Sequence, residues 1–210
     1  MLYFDTLPKV LKTDELGKPI VLTNIMSRAK LIDSLQNNPM LFYEYAVQEG
    51  DTPEIIAEKY YGDPYKYWVI LYSNQILDPV WEWPMNDQQL LAYLEIKYAT
   101  DAEIADKTPL SYISTTVHHY EKVTTTINLT TDEPTTKYTT IDESTYNSLQ
   151  LSNNTYTLSN GERVSVSISK RIVTILNYES EANEIKRQIK ILDESYVFRM
   201  EEQLKFVMGV

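Results

Sequence analysis

The residue types that usually carry metal or nucleophilic chemistry are scarce in this chain of 210 residues. It has no cysteine, which excludes disulfides, thiolate nucleophiles and thiolate zinc sites. The two histidines, His118 and His119, are adjacent in a predicted strand, so their side chains should point to opposite faces of the sheet. One metal ion cannot then bind both, and no H-E-x-x-H pattern occurs. We therefore predict no metal site and no cofactor.

Sequence motifs of the common enzyme classes are missing as well. The chain contains no G-x-S-x-G elbow, no G-x-x-x-x-G-K-[ST] loop and no G-x-G-x-x-G turn, and its five glycines leave little room for a phosphate-binding loop. A carboxylate pair for glycoside hydrolysis is defined by its separation in space, so the 30 acidic residues leave that chemistry open. No pattern favours it, and we predict no catalytic residues and a protein that is not an enzyme.

Aromatic side chains form the most informative cluster of the sequence. Nine of the 17 tyrosines and all three tryptophans lie between Tyr43 and Tyr98. Three uses compete for them: the core of a small module, an interface whose exposed rings anchor a partner, and a platform for sugar rings. Base stacking would also need a basic groove, which Lys59 and Lys66 alone do not provide. For Trp68 the core is favoured. Its expected neighbours there are Ile56, Ile70 and Leu71.

The charge and the lack of long apolar runs argue against two classes of partner. Nineteen basic residues face 30 acidic ones, giving a net charge of −11, whereas binding to nucleic acid depends on Lys and Arg contacts to phosphates. No run of about 18 apolar residues occurs, so we predict no membrane-spanning helix. Residues 1–8 lack the basic region of a signal peptide. We expect neither nucleic acid nor membrane as a partner.

The N-terminal 42 residues predict an arm with a short helix. Val10-Leu11 and Ile20–Leu22 flank a polar turn and favour a loose hairpin. Asn24 can cap a helix that ends before Pro39. The apolar stripe of that helix is Met26, Ala29, Ile32 and Leu35.

A strand followed by a helix is predicted next. Tyr43–Val47 alternates in the manner of a strand. Asp51 or Thr52 caps the helix, and Pro53 occupies its first turn, where a missing N–H costs nothing. Gly62 is a typical helix end.

Three further elements follow from the same kinds of signal. Asp63-Pro64 repeats the cap-then-proline pattern and begins a second helix, which ends near Asn74. The segment Val80–Trp83 is bounded by prolines and predicts a short extended edge piece. A helix capped by Asn86 or Asp87 then extends to Tyr98.

The composition changes after a polar segment at residues 100–108, which is a candidate boundary. Fifteen of the 50 residues from Thr108 to Thr157 are threonine, a β-branched residue suited to a half-exposed sheet. A linker is the alternative, but the interleaved apolar and aromatic residues favour strands. Asn160-Gly161 predicts a hairpin. The strand candidates are Ser111–Tyr120, Val123–Leu129, Tyr138–Ile141, Thr155–Leu158 and Val164–Ile168.

The last thirty residues predict one amphipathic helix, because apolar residues recur every three or four positions. The recurring residues are Ile185, Ile189, Leu192, Tyr196, Met200 and Leu204. Ile191, Val197 and Phe198 widen the apolar face beyond the need of a solvent-backed helix. We therefore expect the helix to contact two neighbours.

Together these elements predict an α+β protein in four segments. The first, 1–42, is the arm with its helix, and the second, 43–99, holds strand, helix, helix, short strand and helix. The third, 100–178, is a threonine-rich antiparallel β region. The fourth, 179–210, is the C-terminal amphipathic helix.

Part of the second segment resembles a LysM module. The matching features are the strand and G-D-T turn at residues 45–52, the helix start at 55–60 and a second helix that ends at Asn74. The sequence departs from the common pattern in its aromatic second helix and in residues 78–84, which do not form the usual closing strand. LysM modules bind glycans that contain N-acetylglucosamine. The resemblance thus implies, as an alternative function, a glycan-binding module of a cell-wall-directed protein. The glycan-binding candidates are Asp51, Thr52, Tyr60 and Asn74.

The sequence Tyr-Tyr-Gly-Asp-Pro at residues 60–64, followed by the apolar run at 68–71, is similar to the LysM-like domain of contractile phage tail and baseplate proteins. The whole layout resembles the LysM-containing baseplate wedge subunits of T-even-type bacteriophages. That resemblance implies a structural protein of the virion tail baseplate, made late and assembled in the host cytoplasm. It implies binding to core wedge subunits, the joining of neighbouring wedges around the central hub, and later addition of the small sheath-initiating wedge subunit. It further implies several copies in a hetero-oligomeric ring.

An adaptor of this kind needs more aromatic surface than its own core consumes. Its acidic balance suits partners with basic patches. We therefore predict that the partner-binding residues are Tyr60, Tyr61, Tyr65, Trp81, Trp83, Tyr196 and Phe198. A third hypothesis is a peptidoglycan hydrolase, and the absence of catalytic motifs disfavours it.

Overall fold

A computed structural model describes residues 7–25 and 38–208 of the chain. The helix predicted between Asn24 and Pro39 falls mainly outside these residues. The chain divides into two compact units, the first formed by residues 1–86 and 183–210 and the second by residues 87–182. These units cut across the four expected segments. Helices mix with antiparallel strand pairs throughout the described residues, which agrees with the α+β class.

The first unit begins with the expected hairpin. Strands β1 (Lys9–Thr13) and β2 (Pro19–Thr23) pair in antiparallel register, with Lys9 opposite Thr23. Asp14 shapes the turn, because its Oδ1 accepts hydrogen bonds from the backbone N–H groups at positions 16 and 18. Several apolar side chains of the hairpin are exposed.

Local capping explains the elements that follow the hairpin. A 3₁₀ turn (Pro39–Leu41) leads into β3 (Phe42–Ala46), and α1 (Pro53–Tyr61) begins where Thr52 Oγ1 accepts from the Ile55 N–H. Gly62 ends α1 in the left-handed conformation, with φ of 62°. These predictions are confirmed.

The second helix also begins at its predicted signal. Asp63 Oδ1 accepts from the Tyr65 N–H and caps a 3₁₀ turn (Pro64–Lys66), which continues into α2 (Tyr67–Ser73).

The prediction of an extended piece at Val80–Trp83 is wrong. Pro79–Glu82 forms a helical turn, α3, whose cap is Asp78. Asp78 Oδ1 accepts from the Val80 N–H, and Glu82 Oε2 accepts from the N–H groups of Leu77 and Asp78. Asp-Pro at this point therefore acts as it does at residues 63–64, and outweighs the strand propensity of valine and tryptophan.

The prediction of one C-terminal helix is also wrong. Helix α8 (Ile175–Ile185) ends early, β8 (Gln188–Leu192) follows, and α9 (Glu194–Met208) begins anew. From Gln188 to Ile191 the side chains of β8 are alternately exposed and buried, which is the period of a strand. Leu192, the last residue of β8, is also buried. Asp193 then accepts from the Ser195 N–H at the start of α9.

Strand β8 completes the first unit by pairing with β3. The register is antiparallel, with Phe42 opposite Leu192 and Ala46 opposite Gln188. From β3 to β8 the unit thus has the order strand, two helices, the short helical turn α3 and strand, and its closing strand comes from near the C-terminus. Asn74, at the end of α2, holds the new strand. Its side chain donates to the carbonyls of Ile70 and Lys190 and accepts from the Lys190 N–H.

The core of the first unit lies between this strand pair and helices α1, α2 and α9. Trp68 is 2% exposed, so its predicted core position is confirmed. The other buried members are Leu7, Val47, Ile56, Ala57, Tyr61, Val69, Ile70, Trp83, Ile189, Ile191, Leu192, Val197, Met200, Leu204 and Met208.

The second unit combines short helices with a four-stranded sheet. The helices are α4 (Asp87–Lys97), α5 (Ala99–Ile104), α6 (Pro109–Thr115) and α7 (Glu143–Ser148), followed by the part of α8 up to residue 182. The sheet has the order β5-β4-β7-β6. Its strands are β4 (Val117–Asn128), β5 (Pro134–Ile141), β6 (Ser152–Thr157) and β7 (Arg163–Thr174).

Most of the predicted β region is confirmed. Much of the threonine-rich region forms strands, and the predicted hairpin joins β6 to β7. The expected break between strands at residues 121–122 is wrong, because β4 is continuous there, and residues 143–148 form helix α7. Gly161 has φ of 87°, and Asn160 Oδ1 accepts from the Glu162 N–H. The strand expected from Ser111 is wrong in its first half, because Thr108-Pro109 is another cap-then-proline pair that begins α6. The polar segment 100–108 is largely helix α5.

The two histidines contradict the expectation of opposite faces. A β-bulge between Val117 and His119 interrupts the alternation of β4. The Nδ1 atoms of His118 and His119 lie 2.8 Å apart, a distance at which one ring donates and the other accepts.

We predict that Trp68→Ala lowers the free energy of unfolding by about 3–5 kcal/mol, because it leaves a cavity in the core. Tyr65→Ala, at a ring that is 60% exposed, should change it by less than about 1 kcal/mol. Urea unfolding followed by tryptophan fluorescence measures both, since Trp81 and Trp83 also lie in the first unit. Equal losses in the two variants would contradict this core.

Asn74→Ala should cost about 1–3 kcal/mol in the same assay, because it leaves the carbonyl and the N–H of Lys190 without the Asn74 side chain as their partner. Asn154→Ala, at an exposed position of the edge strand β6, is the matched control and should be nearly neutral. Hydrogen exchange at the Lys190 amide should also accelerate in the Asn74 variant alone. Unchanged exchange there would reject the role of Asn74 in holding β8.

Candidate partner-binding surface

The seven predicted partner-binding residues separate into exposed and buried side chains. Five keep exposed rings, between 37% and 65% of their surface, and these are Tyr60, Tyr65, Trp81, Tyr196 and Phe198. Tyr61 and Trp83 are buried. The Tyr61 hydroxyl donates to the Leu192 carbonyl at 2.9 Å, and Trp83 Nε1 donates to the Asp51 carbonyl at 3.0 Å. These two rings therefore stabilise the first unit, and little of their surface is left for a partner.

A cleft of about 520 Å³ lies beside the exposed ring of Tyr60. It forms where the ends of α1 and β8 meet the beginnings of β3 and α9. The residues that line it are Tyr43, Tyr60, Tyr61, Leu192, Asp193, Glu194 and Ser195. Only the pairing of β3 with β8 brings Tyr43 next to Asp193, so sequence patterns gave no direct sign of this cleft.

Hydrogen bonds fix the charge state of the cleft wall. The hydroxyl and the N–H of Ser195 donate to Asp193 Oδ1, and the Tyr43 hydroxyl donates to Oδ2. The bonds from Ser195 and Tyr43 hold the pKa of Asp193 below its usual value. The bond to Asp193 raises the pKa of Tyr43, and burial raises that of Tyr61. At neutral pH the wall therefore combines neutral tyrosines with an ionised carboxylate.

Residues outside the cleft hold the Tyr60 ring in place. Its ring lies edge-on to Tyr45, with 5.6 Å between centroids, and the Lys59 ammonium lies 5.7 Å from the Tyr60 centroid. The Tyr45 hydroxyl in turn donates to Asp51 Oδ2. The ring is thus positioned before any partner arrives, which reduces the entropy lost on binding.

The glycan-binding candidates do not share a cavity. Tyr60 lines the cleft described above, whereas Asn74 lines a different cavity of about 230 Å³. The Asp51 carboxylate accepts from Tyr45 and Gln48, and Thr52 caps α1. The polar atoms of Asp51, Thr52 and Asn74 are therefore used within the first unit.

A polar network in the second unit was not predicted. Glu121, which is buried, accepts from Arg171 Nε at 2.6 Å, and Arg171 forms a two-point ion pair with Glu181. Burial alone would raise the pKa of Glu121, but the hydrogen bonds from Arg171 and His119 keep it below its usual value. The His118 ring stacks on Tyr178 at 4.0 Å between centroids.

This network supports folding of the second unit and has no metal-binding geometry. Among residues 7–25 and 38–208, no three His, Cys, Asp or Glu side chains are grouped to hold a metal ion. In the same part of the chain, no helix has the length and apolar character that crossing a bilayer requires.

The comparison with known families covers nearly the whole chain. A model of the family described as base plate wedge protein 53 matches residues 2–205. The chain belongs to the base plate wedge protein 53 family. Membership gives it a structural role among the other components of a phage tail baseplate, where an enzymatic role is not expected. No curated protein matches the sequence.

The contribution of the Asp193 carboxylate to stability can be tested at acidic pH. Because folding lowers the pKa of Asp193, this group stabilises the folded state above its unfolded pKa of about 3.9. That contribution is lost as the pH falls through the folded pKa. We predict that Asp193→Asn lowers the urea midpoint at pH 7 and that the difference from wild type shrinks below about pH 4. Glu44→Gln controls for the loss of one negative charge. A difference that persists undiminished at pH 2 would contradict the assignment.

Proposed function

We propose that this protein binds the core subunits of the baseplate wedge and helps to join neighbouring wedges around the central hub during assembly. The observation that carries the proposal is the exposure of large aromatic side chains on a unit whose core is already filled. Trp81 and Phe198 are 53% and 65% exposed, while Trp68 and Trp83 occupy the core. Exposed aromatic rings of this kind are typical anchors of protein interfaces.

The charge of the chain supports protein partners with basic surfaces. A net charge of −11 raises the rate of encounter with such partners more than the final affinity. A stable contact should bury more than about 1,000 Å² in total, so several anchors must act together. We propose that such contacts keep several copies in a ring and prepare it for the small sheath-initiating subunit. We also propose that assembly takes place in the host cytoplasm.

We further propose that the first unit is a LysM-like domain adapted to a contractile tail of the T-even type. The succession β3, α1, α2 and β8, interrupted only by the turn α3 and the second unit, supports this proposal, as does the strand and G-D-T turn at residues 45–52. The closing strand is taken from residues 188–192, which accounts for the departure from the common pattern at residues 78–84. A glycan-binding role is not supported in this way, because the glycan-binding candidates do not line one cavity.

Sedimentation velocity with purified core wedge complexes tests the proposed function. Wild-type protein should co-sediment with the wedges and promote larger rings. Trp81→Ala and Phe198→Ala should each weaken binding by about 10-fold or more, as expected for truncation of an interface anchor. Their urea midpoints should stay close to that of wild type.

Tyr156→Ala is the matched control, because this ring is 51% exposed on β6 of the second unit. It should bind wedges as wild type does. If the wild-type protein neither binds wedges nor promotes their association, the proposed function is wrong. If only the Tyr156 variant loses binding, the contact belongs to the second unit.

A further inference from the structure

We propose that the cleft lined by Tyr43, Tyr60, Asp193 and Glu194 is a docking site for an arginine side chain that a neighbouring baseplate protein presents. This inference rests on the proposed function for the source of the arginine. The chemistry of the cleft stands on the structure itself. Its volume of about 520 Å³ falls within the range of ordinary ligand pockets and accommodates a long side chain with part of its backbone.

Charge complementarity identifies the occupant as a cation. Two carboxylates, from Asp193 and Glu194, stand among the seven lining residues, and none of the seven is lysine or arginine. The Asp193 carboxylate is fixed by Tyr43 and Ser195 and stays ionised at neutral pH. Glu194 is exposed at the rim. An incoming cation therefore meets one positioned and one adaptable carboxylate.

The tyrosine rings favour the same occupant. Cations are attracted to the face of an aromatic ring within about 6 Å of its centroid. The rings of this cluster already attract cations of the chain itself, since the Lys59 ammonium lies 5.7 Å from the Tyr60 centroid and that of Lys66 lies 6.0 Å from the Tyr61 centroid. Tyr43 remains 56% exposed at the mouth of the cleft.

Arginine fits this combination better than lysine does. A guanidinium group is planar, stacks on an aromatic face and donates two parallel hydrogen bonds to a carboxylate. An ammonium group has no planar face to stack on a ring, does not match a carboxylate with two parallel bonds, and is more strongly hydrated. The site thus combines a ring on which to stack with a carboxylate at its edge.

Titration of the full-length protein with N-acetyl-arginine amide, followed by ¹H–¹⁵N NMR, tests the cleft without any baseplate partner. N-acetyl-citrulline amide is the matched probe, because it keeps the shape of arginine and lacks its charge. At tens of millimolar, the arginine probe should shift the amides of residues 43, 60 and 193–195. The citrulline probe should shift them several-fold less. Equal shifts with the two probes, or none with arginine, would overturn the proposal.

Two variants locate the effect in the cleft. Glu194→Gln and Tyr60→Leu should each reduce the shifts by half or more. Glu54→Gln, at an exposed acid on α1, should leave them unchanged. Two variants are needed because Glu194 lies in the first turn of α9, where its charge also favours the helix. Retention of the full shifts by both variants would place the arginine elsewhere and reject the site.

Binding to wedges separates this inference from the proposed function. Glu194→Lys should weaken binding to core wedges, measured by co-sedimentation, by about 10-fold. It should also make this binding less dependent on salt concentration. If wild type binds wedges and Glu194→Lys binds equally well, the docking site is wrong and the proposed function stands. If wild type does not bind wedges, the proposed function is wrong, and the arginine titration alone decides the cleft.

Discussion

The pairing of β3 with β8 is the constraint on which the first unit depends. Two strands make a marginal sheet by themselves, and here α1, α2 and α9 cover the pair with apolar side chains. The side chain of Asn74 fastens α2 to β8 through three hydrogen bonds. Without β8 the core would lose Ile189, Ile191 and Leu192, and the Tyr61 hydroxyl would lose its acceptor.

The same pairing explains how the chain accommodates a second unit. Residues 87–182 lie between α3 and the final strand, and they form a compact unit of their own. The entropy of closing a loop grows only with the logarithm of its length, by about 0.6 kcal/mol for each doubling. A long insertion that forms a compact unit therefore costs the first unit little. The cost is kinetic, since β3 must wait for a strand from near the C-terminus.

Local chemistry was readable from the sequence, and distant pairing was not. Thr52-Pro53, Asp63-Pro64 and Asn160-Gly161 each act within a few residues, so their helices and hairpin were predicted correctly. Asp78-Pro79 carries the same signal, but the neighbouring valine and tryptophans favoured a strand. At residues 188–192 the apolar spacing fits both a helix and a strand, and only the partner at residues 42–46 decides.

For the candidate surface too, the sequence indicated local features and not the contacts between distant residues. Most of the aromatic residues between Tyr43 and Tyr98 lie in the first unit, but their density in the sequence did not separate core rings from exposed ones. Tyr61 and Trp83 carry polar groups that find acceptors inside the unit, and such internal bonds leave no mark in the sequence. Tyr43 and Asp193 meet only through the strand pair. Their one local signal was the cap formed by Asp193 and Ser195, which falls inside an apparently continuous helix.

A protein that exposes aromatic anchors must stay soluble before its partners arrive. Phe198 and Phe206 are 65% and 86% exposed on α9, and such side chains promote self-association when copies meet. The charge of −11 opposes this, because like-charged copies repel one another at long range. In the proposed function, a basic partner would remove that repulsion where it binds and let the exposed rings engage. Acidity and exposed aromatic surface would therefore work together in such an assembly, since the first opposes contact between copies and the second would stabilise contact with the proposed neighbour.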